Sequence, residues 1–142
     1  MKIRNGFVSN SSSSSFVVIG CGKIPDTQLD EYYIIGQNGE CEFGWDHRVY
    51  DGVDTRINFA FLQAVGHPEW IVLLCAVLAK HGVINFESIL SDDWGDGKRW
   101  AYIDHQSAAC EGQNIEIFDS EEDLERFIFC DDSYIQGGND ND

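Results

Sequence analysis

Apolar residues recur at helical spacing in two adjacent windows of the chain. Ile57, Ala60, Phe61, Ala64 and Val65 fall at i, i+3, i+4, i+7 and i+8, which is one face of a helix. Asp54 or Thr55 is placed to cap that helix, and Gly66 to end it. His67-Pro68-Glu69 opens a second helix with proline at a favoured first position. Trp70, Leu73, Leu74, Val77, Leu78 and His81 share its apolar side, with Cys75 read as a core residue, His81 as a C-terminal cap and Gly82 as the stop. A third helix starts at Ser120, with Asp123 three residues on in the manner of a capping box. Glu121, Glu122 and Asp123 suit its positive N-terminal end, and Leu124, Phe127 and Ile128 face inward.

Elsewhere the period is two or the apolar run is short. Phe7-Val8, Phe16 to Ile19, Tyr32 to Ile35, Cys41 to Trp45, Val83 to Phe86, Arg99 to Asp104 and Asn114 to Phe118 read as strands. Asn38-Gly39 is a strong two-residue turn signal, so Tyr32–Ile35 and Cys41–Trp45 are predicted to form a hairpin. Glu87 to Asp93 reads as a helical turn. The order is strands, two helices, strands, one helix. It predicts a single compact α+β domain over residues 1–136, with an antiparallel or mixed sheet, a helical pair and a C-terminal helix. Residues 137–142 read as a polar, flexible tail.

Composition fits this picture and adds a charge. Hydrophobic residues are 43% of 142, enough for a core. The net charge is -16, and it is lopsided: residues 87–142 carry sixteen acids against three bases. Such a field repels nucleic acid and anionic membranes and attracts basic protein surfaces. The longest apolar run, Trp70 to Ala79, is far short of the roughly twenty residues that span a bilayer. No signal peptide is legible, since serines follow Lys2 and Arg4 where an apolar stretch would stand. Cys21, Cys41, Cys75, Cys110 and Cys130 are odd in number and widely spaced, which favours free thiols in a reducing cytoplasm.

The opening is the most distinctive stretch. Residues 6–16 read GFVSNSSSSSF, with Ser11, Ser12, Ser13, Ser14 and Ser15 in one run. This stretch resembles the start of a group of small, mostly uncharacterised proteins of tailed bacteriophages and some bacteria. The resemblance implies a phage-type source and no particular reaction. The serine run is a candidate anion loop, offering hydroxyls and backbone N–H groups, although it lacks the glycines and lysine of a phosphate loop. The competing reading is a plain loop or a closely packed strand.

Asp104, His105 and Ser107, where a predicted strand gives way to a loop, are the weak catalytic candidates, with Cys110 a conceivable thiol partner. Neighbouring strand residues point to opposite faces, so Asp104 need not orient His105. Asp46-His47 repeats the Asp-His dipeptide, but no spacing typical of a metal site exists and no metal or cofactor is expected. Asp92, Asp93 and Asp96 lack the order of a calcium loop and read as a surface turn.

The C-terminal acids support a sharper expectation. Asp119, Glu121, Glu122, Asp123 and Glu125 cluster at a helix start, with Asp131 and Asp132 near its end. Small acidic proteins can imitate the phosphate rows of DNA. The expectation is a cytoplasmic accessory protein that acts by macromolecular binding, with enzyme activity left open. It binds a protein partner with a basic surface, such as a host defence or nucleic-acid-processing factor, and occludes it. It does not bind nucleic acid or membrane directly. The alternatives are a small enzyme or nucleotide-binding protein using Asp104, His105 and the Ser11–Ser15 loop, and a virion or assembly component, for which a homo-oligomer is expected.

Overall fold

The computed structural model describes residues 2–5, 14–20, 22–43, 48–93, 95–103 and 115–138. The predicted strand at Phe7-Val8, Ser11 to Ser13, Cys21, Trp45, the Asp46-His47 pair, Asp104, His105, Ser107, Cys110 and residues 139–142 lie outside this set.

The architecture is α+β, as the order of periodicities predicts. Strands β1 (Lys2–Asn5), β2 (Ser14–Ile19), β10 (Tyr134–Gly138) and β5 (Val49–Tyr50) form an antiparallel sheet in the order β1-β2-β10-β5. The C-terminal strand therefore lies inside the sheet, with Ile135 opposite Val17 on one side and Tyr50 on the other. Ser14 and Ser15 pair with Gly138 and Gly137, so the end of the serine run is strand. The boundary read at residue 136 falls within β10. A Gly-Gly pair is a poor strand former by propensity, and here the pairing to β2 overrides it.

Three further strand pairs are short and parallel. β3 (Tyr32–Ile35) pairs with β6 (Asn85–Ser88), β4 (Glu42–Phe43) with β9 (Tyr102–Ile103), and β7 (Leu90–Ser91) with β8 (Arg99–Trp100). The predicted hairpin between β3 and β4 is thus absent: each strand takes a partner from a distant segment. The turn between them is real, with Gly36 at φ 97° and Gly39 at φ 80°. It is held open by groups from elsewhere. The Asn58 carboxamide accepts from the Gly36 N–H at 2.9 Å and donates to the Asn38 and Glu40 carbonyls at 2.8 and 2.9 Å. Arg99 donates to the Gly36 and Gly39 carbonyls, both at 2.8 Å. Backbone groups captured this way cannot close a two-residue hairpin ladder.

The helices are α1 (Val53–Ala64), α2 (Pro68–Lys80) and α3 (Glu121–Phe129). They pack on one another, and α3 also packs on β2. Gly66, at φ 85°, makes the sharp joint between α1 and α2. Pro68 occupies the first turn of α2 as its fixed φ favours.

Helix α1 starts at Gly52 rather than at Asp54 or Thr55. Both expected capping groups are diverted: Asp54 accepts from the Tyr33 hydroxyl, and Thr55 Oγ1 accepts from the Glu40 N–H at 2.9 Å. Packed against α2, α3, β3 and β9, α1 buries polar residues too, namely Thr55, Arg56, Asn58 and Gln63, while Val65 just past its end is exposed. Cys75 is exposed rather than core, because α2 turns Leu74, Val77 and Leu78 inward.

The core is continuous across the layers. Rings run edge-on from Tyr50 to Phe43 (5.0 Å) and Phe43 to Phe59 (5.1 Å), then tilted to Phe127 (5.9 Å). They join β5, β4, α1 and α3, and each fully buried ring contributes roughly 2–3 kcal/mol by transfer from water. Two further readings are corrected. Ile115–Phe118 is a 3-10 turn, which buries the consecutive residues Ile117 and Phe118 where a strand would bury alternate ones. Residues 87–93 supply the end of β6 and then β7 rather than a helical turn, because their backbone groups pair with β3 and β8.

Among the described residues, no helix is long and apolar enough to cross a membrane.

Candidate functional site

The acidic helix α3 is built as the sequence predicts. Ser120 Oγ accepts from the Asp123 N–H at 3.0 Å, closing the N-terminal cap, and Leu124, Phe127 and Ile128 are fully buried. The acids fall on the remaining faces, yet several are engaged within the molecule. Lys80, at the end of α2, reaches Glu121 at 3.4 Å and Glu125 at 3.8 Å. His81 Nε2 meets Glu125 Oε2 at 2.8 Å. Arg126 bonds Glu122 at 3.2 Å, one turn away. Glu121, Glu122 and Glu125 therefore tie α3 to its neighbours or to itself.

Asp131 and Asp132 lie in the turn after α3, both exposed. The Asp132 carboxylate packs on the backbone at Gly20 and Gly22; a Cβ on Gly20 would sit 1.8 Å from its Oδ1. That turn is also fixed by Arg56, which donates to the Cys130 and Ser133 carbonyls at 2.9 and 2.6 Å. Burial lowers the pKa of the Arg56 guanidinium, and the charges of Asp51 and Asp131 act against that shift. Of the seven acids singled out in this region, Asp119 and Asp131 are exposed and engaged by no ion pair or close packing among the described residues; the structure brings the other five into internal contacts.

The chemistry of the thiols is quiet. Burial raises the Cys41 and Cys130 thiols, the reverse of what a nucleophile needs. Both act as weak donors, Cys41 to the Trp100 carbonyl and Cys130 to that of Gly22, each at 3.2 Å. In the acidic turn after β7, Asp96 accepts from the Ser91 hydroxyl at 2.5 Å and from the Lys98 N–H at 3.0 Å. These bonds lower its pKa, the hydroxyl first, and use the carboxylate to close the turn. Among the described residues, no group of three or more His, Cys, Asp or Glu is arranged to hold a metal ion.

No family model, curated protein or solved structure matches this chain.

Sequence reasoning passed over a second acidic surface, on the β3–β6 pair. The outward positions are Tyr32 and Ile34 on β3 and Asn85 and Glu87 on β6, set side by side by the register Tyr32↔Asn85 and Ile34↔Glu87. Ile84 stands at the head of β6, its N–H bonded to the Glu31 carbonyl at 2.8 Å. It is 78% exposed, and Tyr32 is 50% exposed. Asp30, Glu31 and Glu87 are exposed around them, and none of the three has an ion pair among the described residues. The signal in the sequence was the charge on either side of two apolar runs; the run Val83 to Phe86, read as a strand, gave no sign that Ile84 is exposed.

Proposed function

We propose that this chain is a binding protein, phage-encoded and cytoplasmic, that occludes the basic surface of a host nucleic-acid-processing or defence protein. The observation that carries this reading is the charge of -16 on a chain whose exposed acids outnumber the cations available to pair with them. A folded domain keeps such an imbalance at a cost in self-repulsion, and contact with a basic face relieves it. The N-terminal resemblance supports the phage setting.

The test is capture from bacterial lysate at low and moderate salt, followed by competition between the chain and duplex DNA for the captured protein. The reading expects a basic, nucleic-acid-binding partner that is lost as salt screens the contact and that DNA displaces. Capture that is indifferent to salt and to DNA refutes it.

A further inference from the structure

Both ring nitrogens of His81 face acceptors. Nδ1 lies 2.8 Å from the Thr27 carbonyl and Nε2 lies 2.8 Å from Glu125 Oε2. A carbonyl only accepts, and so does an ionised carboxylate, whereas a neutral imidazole has a single N–H to give. The imidazolium therefore satisfies both partners and the neutral ring satisfies one. The ring is 7% exposed and lies flat on Phe129 at an interplanar angle of 11°, so packing holds both nitrogens at these partners. Helix α3 brings the Glu125 carboxylate to the ring. Helix α2 brings Lys80, whose ammonium is 3.8 Å from the other oxygen of Glu125 and 3.4 Å from Glu121. Residues 22–31 bring the uncharged Thr27 carbonyl, and none of their charged side chains pairs with His81 among the described residues. That segment holds neither helix nor strand, so it rests on individual contacts such as this one and the Leu29 N–H bond to the His81 carbonyl at 2.8 Å.

We propose that His81 is a protonation switch: charged, it fastens the segment before β3 to the seam between α2 and α3; neutral, it keeps Glu125 and lets go of Thr27. A hydrogen bond to a carboxylate is stronger than one to a neutral carbonyl, so the single N–H of the neutral ring stays on Nε2. Nδ1 then turns a lone pair toward the Thr27 oxygen, and that carbonyl moves off. Rising pH thus loosens residues 22–31 at Thr27, and falling pH fastens them. The switch goes beyond the binding role proposed above and does not depend on it.

The test is NMR of the isotopically labelled protein from about pH 5 to about pH 9, the range in which histidine changes charge. Correlations to the ring nitrogens report which of them carries a proton, and the Thr27 carbonyl carbon and the Gln28 amide report the contact. The proposal expects both nitrogens protonated at the acid end and only Nε2 at the alkaline end, with the Thr27 and Gln28 signals shifting in step with the ring. Glu125→Gln should reverse the outcome. Its carboxamide can donate to Nε2, so the neutral ring carries its proton on Nδ1, and the Thr27 and Gln28 signals stay in place. The same alkaline tautomer in both proteins, Thr27 and Gln28 signals that ignore the ring's titration, or a ring that keeps one proton count across the range would each overturn the proposal.

Discussion

His81 and Glu125 meet at 2.8 Å across the seam between α2 and α3. The other ring nitrogen of His81 lies 2.8 Å from the Thr27 carbonyl, and the ring stacks on Phe129 with centroids 3.6 Å apart. His81 is 7% exposed, so these partners replace water almost completely. One side chain thus joins the end of α2, the segment before β3 and the buried face of α3. Its place at the C-terminal end of α2 was legible; its long-range partners were not.

Replacing His81 by alanine removes both polar contacts and the stacked ring, leaving Glu125 and the Thr27 carbonyl short of a partner. The expected loss is about 2–4 kcal/mol of unfolding free energy. Glu125→Gln keeps the shape and loses the charge, and should cost about 1–2 kcal/mol. Urea unfolding of the three proteins checks the order; equal stabilities would remove His81 from its structural role.

The loop from Gly36 to Glu40 depends on Asn58. Asn58→Leu strands one N–H and two carbonyls, and should cost about 3 kcal/mol. Asn58→Asp keeps the acceptor for the Gly36 N–H but turns a carboxylate toward the Asn38 and Glu40 carbonyls. It should destabilise at least as much, despite its similar size. Thermal unfolding gives the comparison, and a tolerated Asn58→Asp would contradict the assignment.

Gly20 is required by the approach of Asp132. Gly20→Ala places a methyl 1.8 Å from Oδ1 and should cost about 1–3 kcal/mol of overpacking. The penalty should shrink in an Asp132→Gly background, because the two changes share one contact. A double-mutant cycle with no coupling would show that the carboxylate is not what limits position 20.

Thiol reactivity separates the cysteines. Cys75 is exposed, whereas Cys41 and Cys130 are buried and their thiols raised. With iodoacetamide near neutral pH, mapped by mass spectrometry, Cys75 should alkylate rapidly and the other two only on unfolding. Rapid labelling of Cys41 in the folded protein would contradict its burial.

The helices were largely legible because their signals are local. Pro68, Gly66 and the Ser120–Asp123 cap act within a few residues of themselves, and the structure uses each as expected. The strand partners were not legible. Asn38-Gly39 carries the local signature of a hairpin, but Asn58 and Arg99, far along the chain, claim the backbone groups that would close it. Val49-Tyr50 and Tyr134–Gly138 are too short or too rich in glycine to stand out, and they become strands only by pairing. The acidic helix was found by its charge. That its glutamates are neutralised by Lys80 and Arg126, while Glu31 and Glu87 have no ion pair among the described residues, is a tertiary fact no spacing encodes.

In the proposed role the acidic surface occupies a basic, nucleic-acid-binding face. The most direct test is competition by fluorescence anisotropy: labelled duplex DNA is bound to the protein captured from lysate, and this chain is added at low and moderate salt. The proposed role predicts that the chain releases the DNA and that release weakens as salt rises. DNA that stays bound at every concentration of the chain, or release indifferent to salt, would contradict it.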